Sequence, residues 1–245
     1  SYFIAFLQHR EGDLEGARQK QALDEVGAEL ENVRAAWHWA TEHARARQIG
    51  QASASLFDFY RMRHLPTEGE EAFGLAVAAL EPESHPADDR GAEADAVLGL
   101  VLAIQGFFAS STYLLEKPQP LLRQSLAVLR PLGPRRELAL ADALAVWVGA
   151  AEDITEAEQL LQESLTIYQE AGDRWGTAFA LRSLGNLASL QGDYAQANRY
   201  LRQSLALSDE IGDRWGMGST LSSLGDIAQH HQGARQEAKA FHQQS

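Results

Sequence analysis

Residues able to do chemistry are few in this chain, and they do not converge. His230 and His231 are adjacent, which suggests a metal site. Neighbouring residues on a helix point about 100° apart, so the pair does not grip one ion. Trp37-His38-Trp39 reads as an apolar helix face with its histidine in water, and Glu70-Glu71 and Asp88-Asp89 as paired acids on solvated surface. Asp142 is the one acid of the second half beside an apolar helix face, where a raised pKa would mark a working carboxyl. The phosphate loop Gly-x-x-x-x-Gly-Lys-Ser/Thr, the zinc helix His-Glu-x-x-His and the nucleophile elbow Gly-x-Ser-x-Gly are all missing. With no cysteine, thiol nucleophiles, zinc-thiolate sites and disulfides are excluded, and the usage fits a reducing compartment. The chain reads as a non-enzyme, with no metal and no cofactor.

Composition narrows the partners. The 245 residues are 45% hydrophobic and 22% charged, the balance of a folded globular chain. Lys and Arg number 21 against 34 Asp and Glu, a net charge of −13 that disfavours nucleic acid and anionic membranes as partners. No apolar run approaches the roughly 18–20 residues that span a bilayer. The opening at Ser1, without Met, reads as a piece cut from a longer chain.

The elements that must position any site come in copies. Gly172-Asp173-Arg174-Trp175-Gly176 recurs forty residues on as Gly212-Asp213-Arg214-Trp215-Gly216, and Ser183-Leu184-Gly185 recurs as Ser223-Leu224-Gly225. Segments 172–191 and 212–231 agree at ten of twenty positions. A second thread links Ser125, Ser164 and Ser204, each followed by Leu, at separations of 39 and 40. Each unit reads as two helices. Ala178, Leu181, Leu184, Leu187 and Ala188 keep helical spacing, Gln191-Gly192-Asp193 interrupts, and Tyr194, Ala197, Tyr200, Leu201 and Leu205 form a second stripe. Gly212 suits the left-handed end of one helix and Asp213 the N-cap of the next, with Gly172-Asp173 doing the same. Gly185 and Ala197, twelve apart, are small residues where two helices approach; Gly225 and Ala238 are thirteen apart. In the N-terminal third, Leu23, Val26, Leu30, Val33, Trp37 and Ala40 predict one long helix from Gln19 to Glu42. Glu81 to Gly91, with Pro82 and Pro86, is the internal boundary, and Pro118 and Pro120 mark the first turn of a helix.

The pattern Leu181, Leu184-Gly185, Ala188, Gly192, Tyr194, Ala197, Leu201 resembles a tetratricopeptide repeat of the forty-residue, maltose-activator-like variety. That variety is found in the sensor regions of bacterial STAND regulators, signal-transduction ATPases with numerous domains. Glu29-Leu30-Glu31-Asn32-Val33-Arg34-Ala35-Ala36-Trp37 resembles the helix that follows the ATPase and winged-helix modules in such proteins. Pro118, in place of a small alanine, and Gln105, in place of a leucine, depart from the pattern.

The resemblance implies an all-α, right-handed superhelix of about twelve antiparallel helices. Residues 1–82 would be a helical arm following the ATPase and winged helix, and residues 83–245 tandem repeats cut short at the C-terminus. First helices would line a concave groove bearing Phe57, Arg61, His64, Phe107, Asp142, Phe179, Arg182, Asn186, Ser222, Asp226 and Gln229. In similar repeats a cation and an asparagine, here Arg182 and Asn186, hold peptide main chain, whereas Asp226 opposes simple capture of a terminal carboxylate. Trp175 and Trp215 are expected to be structural, covering the junctions between hairpins, alongside Gly185, Ala197 and Gly225. The expected function is a cytoplasmic sensor module that binds a protein, peptide or small-molecule inducer and relieves autoinhibition of an attached ATPase. The alternative is a free-standing scaffold for protein–protein interaction.

Overall fold

A computed structural model describes residues 2–81, 91–112, 118–135, 140 and 153–228. Among them every regular element is a helix and none is a strand. The first part holds α1 (Tyr2–Leu14), α2 (Gln19–Ala28), α3 (Leu30–Glu42), α4 (Ala46–Met62) and α5 (Pro66–Leu80). α6 (Ala92–Thr112) and α7 (Pro118–Leu129) follow, with a 3₁₀ turn at Arg130–Leu132. The last stretch holds α8 (Ile154–Glu170), α9 (Arg174–Leu190) and α10 (Tyr194–Ile211), then a helical run, α11, over 214–228. The result is a helical solenoid in which α1 to α7, and again α8 to α10, pack each on the next.

Starts and stops follow the chain's own chemistry. Asp153, Asp173, Asp193 and Asp213 stand twenty residues apart, and each carboxylate accepts the backbone N–H three residues on at 2.8 or 2.9 Å. Each satisfies a donor that the first turn of a helix leaves orphaned. Gly172 and Gly212 end the preceding helices at φ of +68° and +79°, the left-handed region that glycine enters without a Cβ clash. Pro118 opens α7, as its lack of an N–H requires.

The recurring serines set the register of the hairpins. Ser125 Oγ donates to the Gly99 carbonyl at 2.6 Å and Ser204 Oγ to the Ala178 carbonyl at 2.8 Å, in both cases 26 residues back. Ser164, the middle member of the thread, is fully buried. Within these hairpins the helices close tightly. A Cβ on Gly185 would lie 2.7 Å from Leu201 Cγ and 3.3 Å from the Ala197 carbonyl, so the spacing of twelve marks a true close approach. Gly225 has open space around its Cβ position among the described residues; its expected partner Ala238 lies outside them, as do His230 and His231.

Two expectations need correction. The long helix over Gln19–Glu42 is two helices, broken at Glu29, whose φ of −102° and ψ of 13° leave the helical basin two residues after Gly27. The break frees α3 to pack against α4 and α5 as well as α1. The estimate that no apolar run could span a bilayer also fails. Ala92–Ser110 within α6 is long and apolar enough by length and composition, although Glu93, Asp95 and Gln105 interrupt its apolar residues. Most of it is buried here, between α4, α5 and α7, as a core helix.

A continuous apolar cluster runs from Ile4 through Trp37, Phe73, Phe108 and Leu161 to Leu184, joining residues on both sides of position 82. A smaller cluster of Ala188, Ala197, Leu201 and Ile227 serves the last units. Gly185→Leu should therefore wedge α9 from α10 and cost about 1–3 kcal/mol, read as a lower urea midpoint. Ser204→Ala should cost about 1 kcal/mol by leaving the buried Ala178 carbonyl without this donor. Wild-type unfolding curves for both would refute the hairpin register.

Candidate functional site: a cleft and a buried arginine pair

α1 packs against α4 and faces the repeat helices across a cleft. Ser55 Oγ on α4 donates to the Leu7 carbonyl of α1 at 2.7 Å, and the turn after α1 reaches the far end of the solenoid. There Gln19 Nε2 donates to Asp213 Oδ1 at 3.0 Å, while Gln19 Oε1 accepts the Trp215 N–H at 2.9 Å. The same Nε2 donates to the Leu14 carbonyl at 2.7 Å, so one buried amide fixes its own turn and clamps a segment 194 residues away. The fit is tight. A Cβ on Gly212 would sit 2.7 Å from Ala17 Cα.

Between α1 and the repeat faces lies a cleft of about 610 Å³. Its floor is apolar, with Phe57, Leu100, Leu140, Tyr168 and Trp175, and α1 contributes Gln8, Glu11 and Glu15. Arg47, Asp58, Glu93 and Arg135 complete the charged lining. Four carboxylates against two guanidiniums make the cleft acidic, in keeping with the whole chain.

Behind the Phe57, Asp58 and Trp175 wall sit two arginines. Arg61 is 7% exposed and Arg182 3%. Arg61 Nη2 donates to Asp58 Oδ1 at 2.5 Å, one helical turn back on α4. Its Cζ lies 3.9 Å from the Trp215 ring centre, 5.2 Å from Phe57 and 5.8 Å from Trp175. Arg182 Cζ lies 5.0 Å from the Phe179 ring and 5.3 Å from the same Trp215. Trp175 and Phe179, one turn apart, stack at 5.5 Å with ring planes 8° apart. The two cations thus share one indole inside an aromatic box, where burial strengthens attraction to the ring faces. Burial, then the positive charge of Arg61, pushes the Arg182 guanidinium down to about 10, with Asp213 opposing; it stays charged at neutral pH.

The expected groove residues divide. Phe57, Arg61, Phe179 and Arg182 come together, and Phe107 joins them edge-on to Phe57 at 5.3 Å. Asn186 is half-buried one turn beyond Arg182. His64 is exposed beyond the end of α4 at a φ of +54°, and Ser222 and Asp226 are exposed on α11. Asp142 and Gln229 lie outside the described residues. Trp175 and Trp215, expected as structural residues at the hairpin junctions, both present their rings to the Arg61 guanidinium. The ring of Tyr168 on the preceding helix is met by Gly176, where a Cβ would approach to 2.1 Å. Gln19, Asp58 and the α1 acids escaped the sequence reading. Asp58 alone left a signal there, an acid between two phenylalanines and three residues before an arginine.

Residues 136–210 match the family model described as tetratricopeptide repeat. That stretch is a tetratricopeptide-repeat region. It holds α8, α9, nearly all of α10 and the Trp175–Phe179–Arg182 face; Arg61, Trp215 and the α1 clamp lie outside it. Tetratricopeptide repeats are protein-interaction modules and typically non-catalytic. No curated protein matches the chain.

Gln19→Ala should remove both cross-lumen hydrogen bonds and cost about 1–3 kcal/mol, read as a lower urea midpoint. Co-migration of variant and wild-type curves would show that the clamp holds nothing.

Proposed function

We propose that this chain is the sensor module of a STAND-type signal-transduction ATPase, and that its inducer enters the cleft beneath α1. The observation that carries this reading is the make-up of the cleft. One wall comes from the N-terminal helix and the others from the solenoid. A ligand there touches both parts at once and so favours whichever arrangement of α1 fits it, a population shift driven by differential affinity. The volume falls within the range of pockets for small molecules, about 300–1,000 Å³, so the inducer is a small molecule or the end of a peptide. The forty-residue repeats and the Glu29–Trp37 segment, with its resemblance to the helix after a winged-helix module, support the same reading. In this reading the protein is bacterial and cytoplasmic, and the inducer relieves autoinhibition by the repeats.

The tetratricopeptide match favours a second reading, a free-standing scaffold that assembles protein partners. Removal of residues 92–245 from the full-length protein separates the two. A sensor loses the dependence of its ATPase on inducer. An inducer response that survives the deletion would overturn the sensor reading.

A further inference from the structure

The arginine pair has more donors than its surroundings use. Arg61 gives Nη2 to Asp58, but its Nε and Nη1 are buried without a hydrogen-bond partner among the described residues, and so is Arg182 Nε. Asp213 does not supply one. Its Oδ1 accepts from Gln19 Nε2 and from the Gly216 N–H that it caps. Buried guanidinium N–H groups without acceptors are costly, and the planar fork of arginine matches the two oxygens of an oxyanion.

We infer that Arg61 and Arg182 together form a site for a small oxyanion, a carboxylate or phosphate group, held against the Trp215 indole. The anion would supply acceptors to Arg61 Nε and Nη1 and to Arg182 Nε while relieving repulsion between the two cations. The rings of Phe57, Trp175, Phe179 and Trp215 lie within 3.9–5.8 Å of the guanidinium carbons and wall the pair in. Asp58 is its competitor for Arg61. The site shares Phe57, Asp58 and Trp175 with the cleft wall, which places the anionic end of a ligand one layer behind the acidic cleft. This site deepens the sensor reading by naming one chemical group of the inducer. Because it is tested on the chain alone, its failure is distinct from failure of the deletion experiment.

The test is thermal unfolding of the chain in inorganic phosphate and, separately, in acetate, each against chloride at matched ionic strength. An oxyanion at ten times its Kd should raise Tm by about 3–6 °C. Arg182→Met should lose that response while melting in chloride no lower than wild type, because it removes a buried charge lacking acceptors. Arg182→Gln gives the same reading should the methionine variant not fold, with at least a tenfold weaker Kd. Equal Tm values of the wild type in all three salts, or an undiminished response in a folded Arg182 variant, would overturn the site.

Discussion

No helical hairpin in this chain can bury its own apolar stripe, and the rest of the architecture follows from that constraint. Each stripe is covered only when the next hairpin docks, so the core runs along the array as one long cluster and a smaller one at its last units. Docking demands close backbone approach, which the chain meets with glycine opposite leucine, as at Gly185 and Leu201. It also demands a fixed register. The buried serine hydroxyls set it by tying second helices to first-helix carbonyls.

A solenoid built this way has free ends, yet among the described residues the N-terminal arm reaches the last helix. Gln19 and the 211–216 segment join the first turn of the molecule to its last described helix. Aromatic rings carry the link inward. Trp37, Phe73, Phe108 and Phe57 contact one another in sequence, and Arg61 runs from Phe57 to Trp215. A purely nearest-neighbour array unfolds piecemeal from its termini. Contacts spanning almost 200 residues oppose that fraying and couple the arm to the repeats. The same closure leaves a cleft of small-molecule size with α1 as one wall.

The helices, their ends and the tandem order were legible in the sequence because they rest on local chemistry. Gly172-Asp173 and Gly212-Asp213 state a stop and a start in adjacent residues, and apolar spacing over 178–205 states which faces are buried. The groove was legible in part. The tetratricopeptide resemblance put Phe57, Arg61, Phe179 and Arg182 on one face, and the structure brings the four together. The break at Glu29 was not, because the apolar stripe continues through it and only packing of α3 against α4 and α5 selects the kink.

The sequence by itself determined the repeating unit: its capped helices, its small residues at close approaches and the face each helix buries. Tertiary structure alone decided that α1 lines a cleft with the repeat helices and that Gln19 meets Trp215. It also decided that two arginines from distant helices share one indole, and that both repeat tryptophans meet the same Arg61 guanidinium. The reason is range. Caps, turns and stripes act within a few residues, so their spacing records them. A contact between residues 19 and 215 depends on the accumulated curvature of every hairpin between them, and no local pattern encodes that sum.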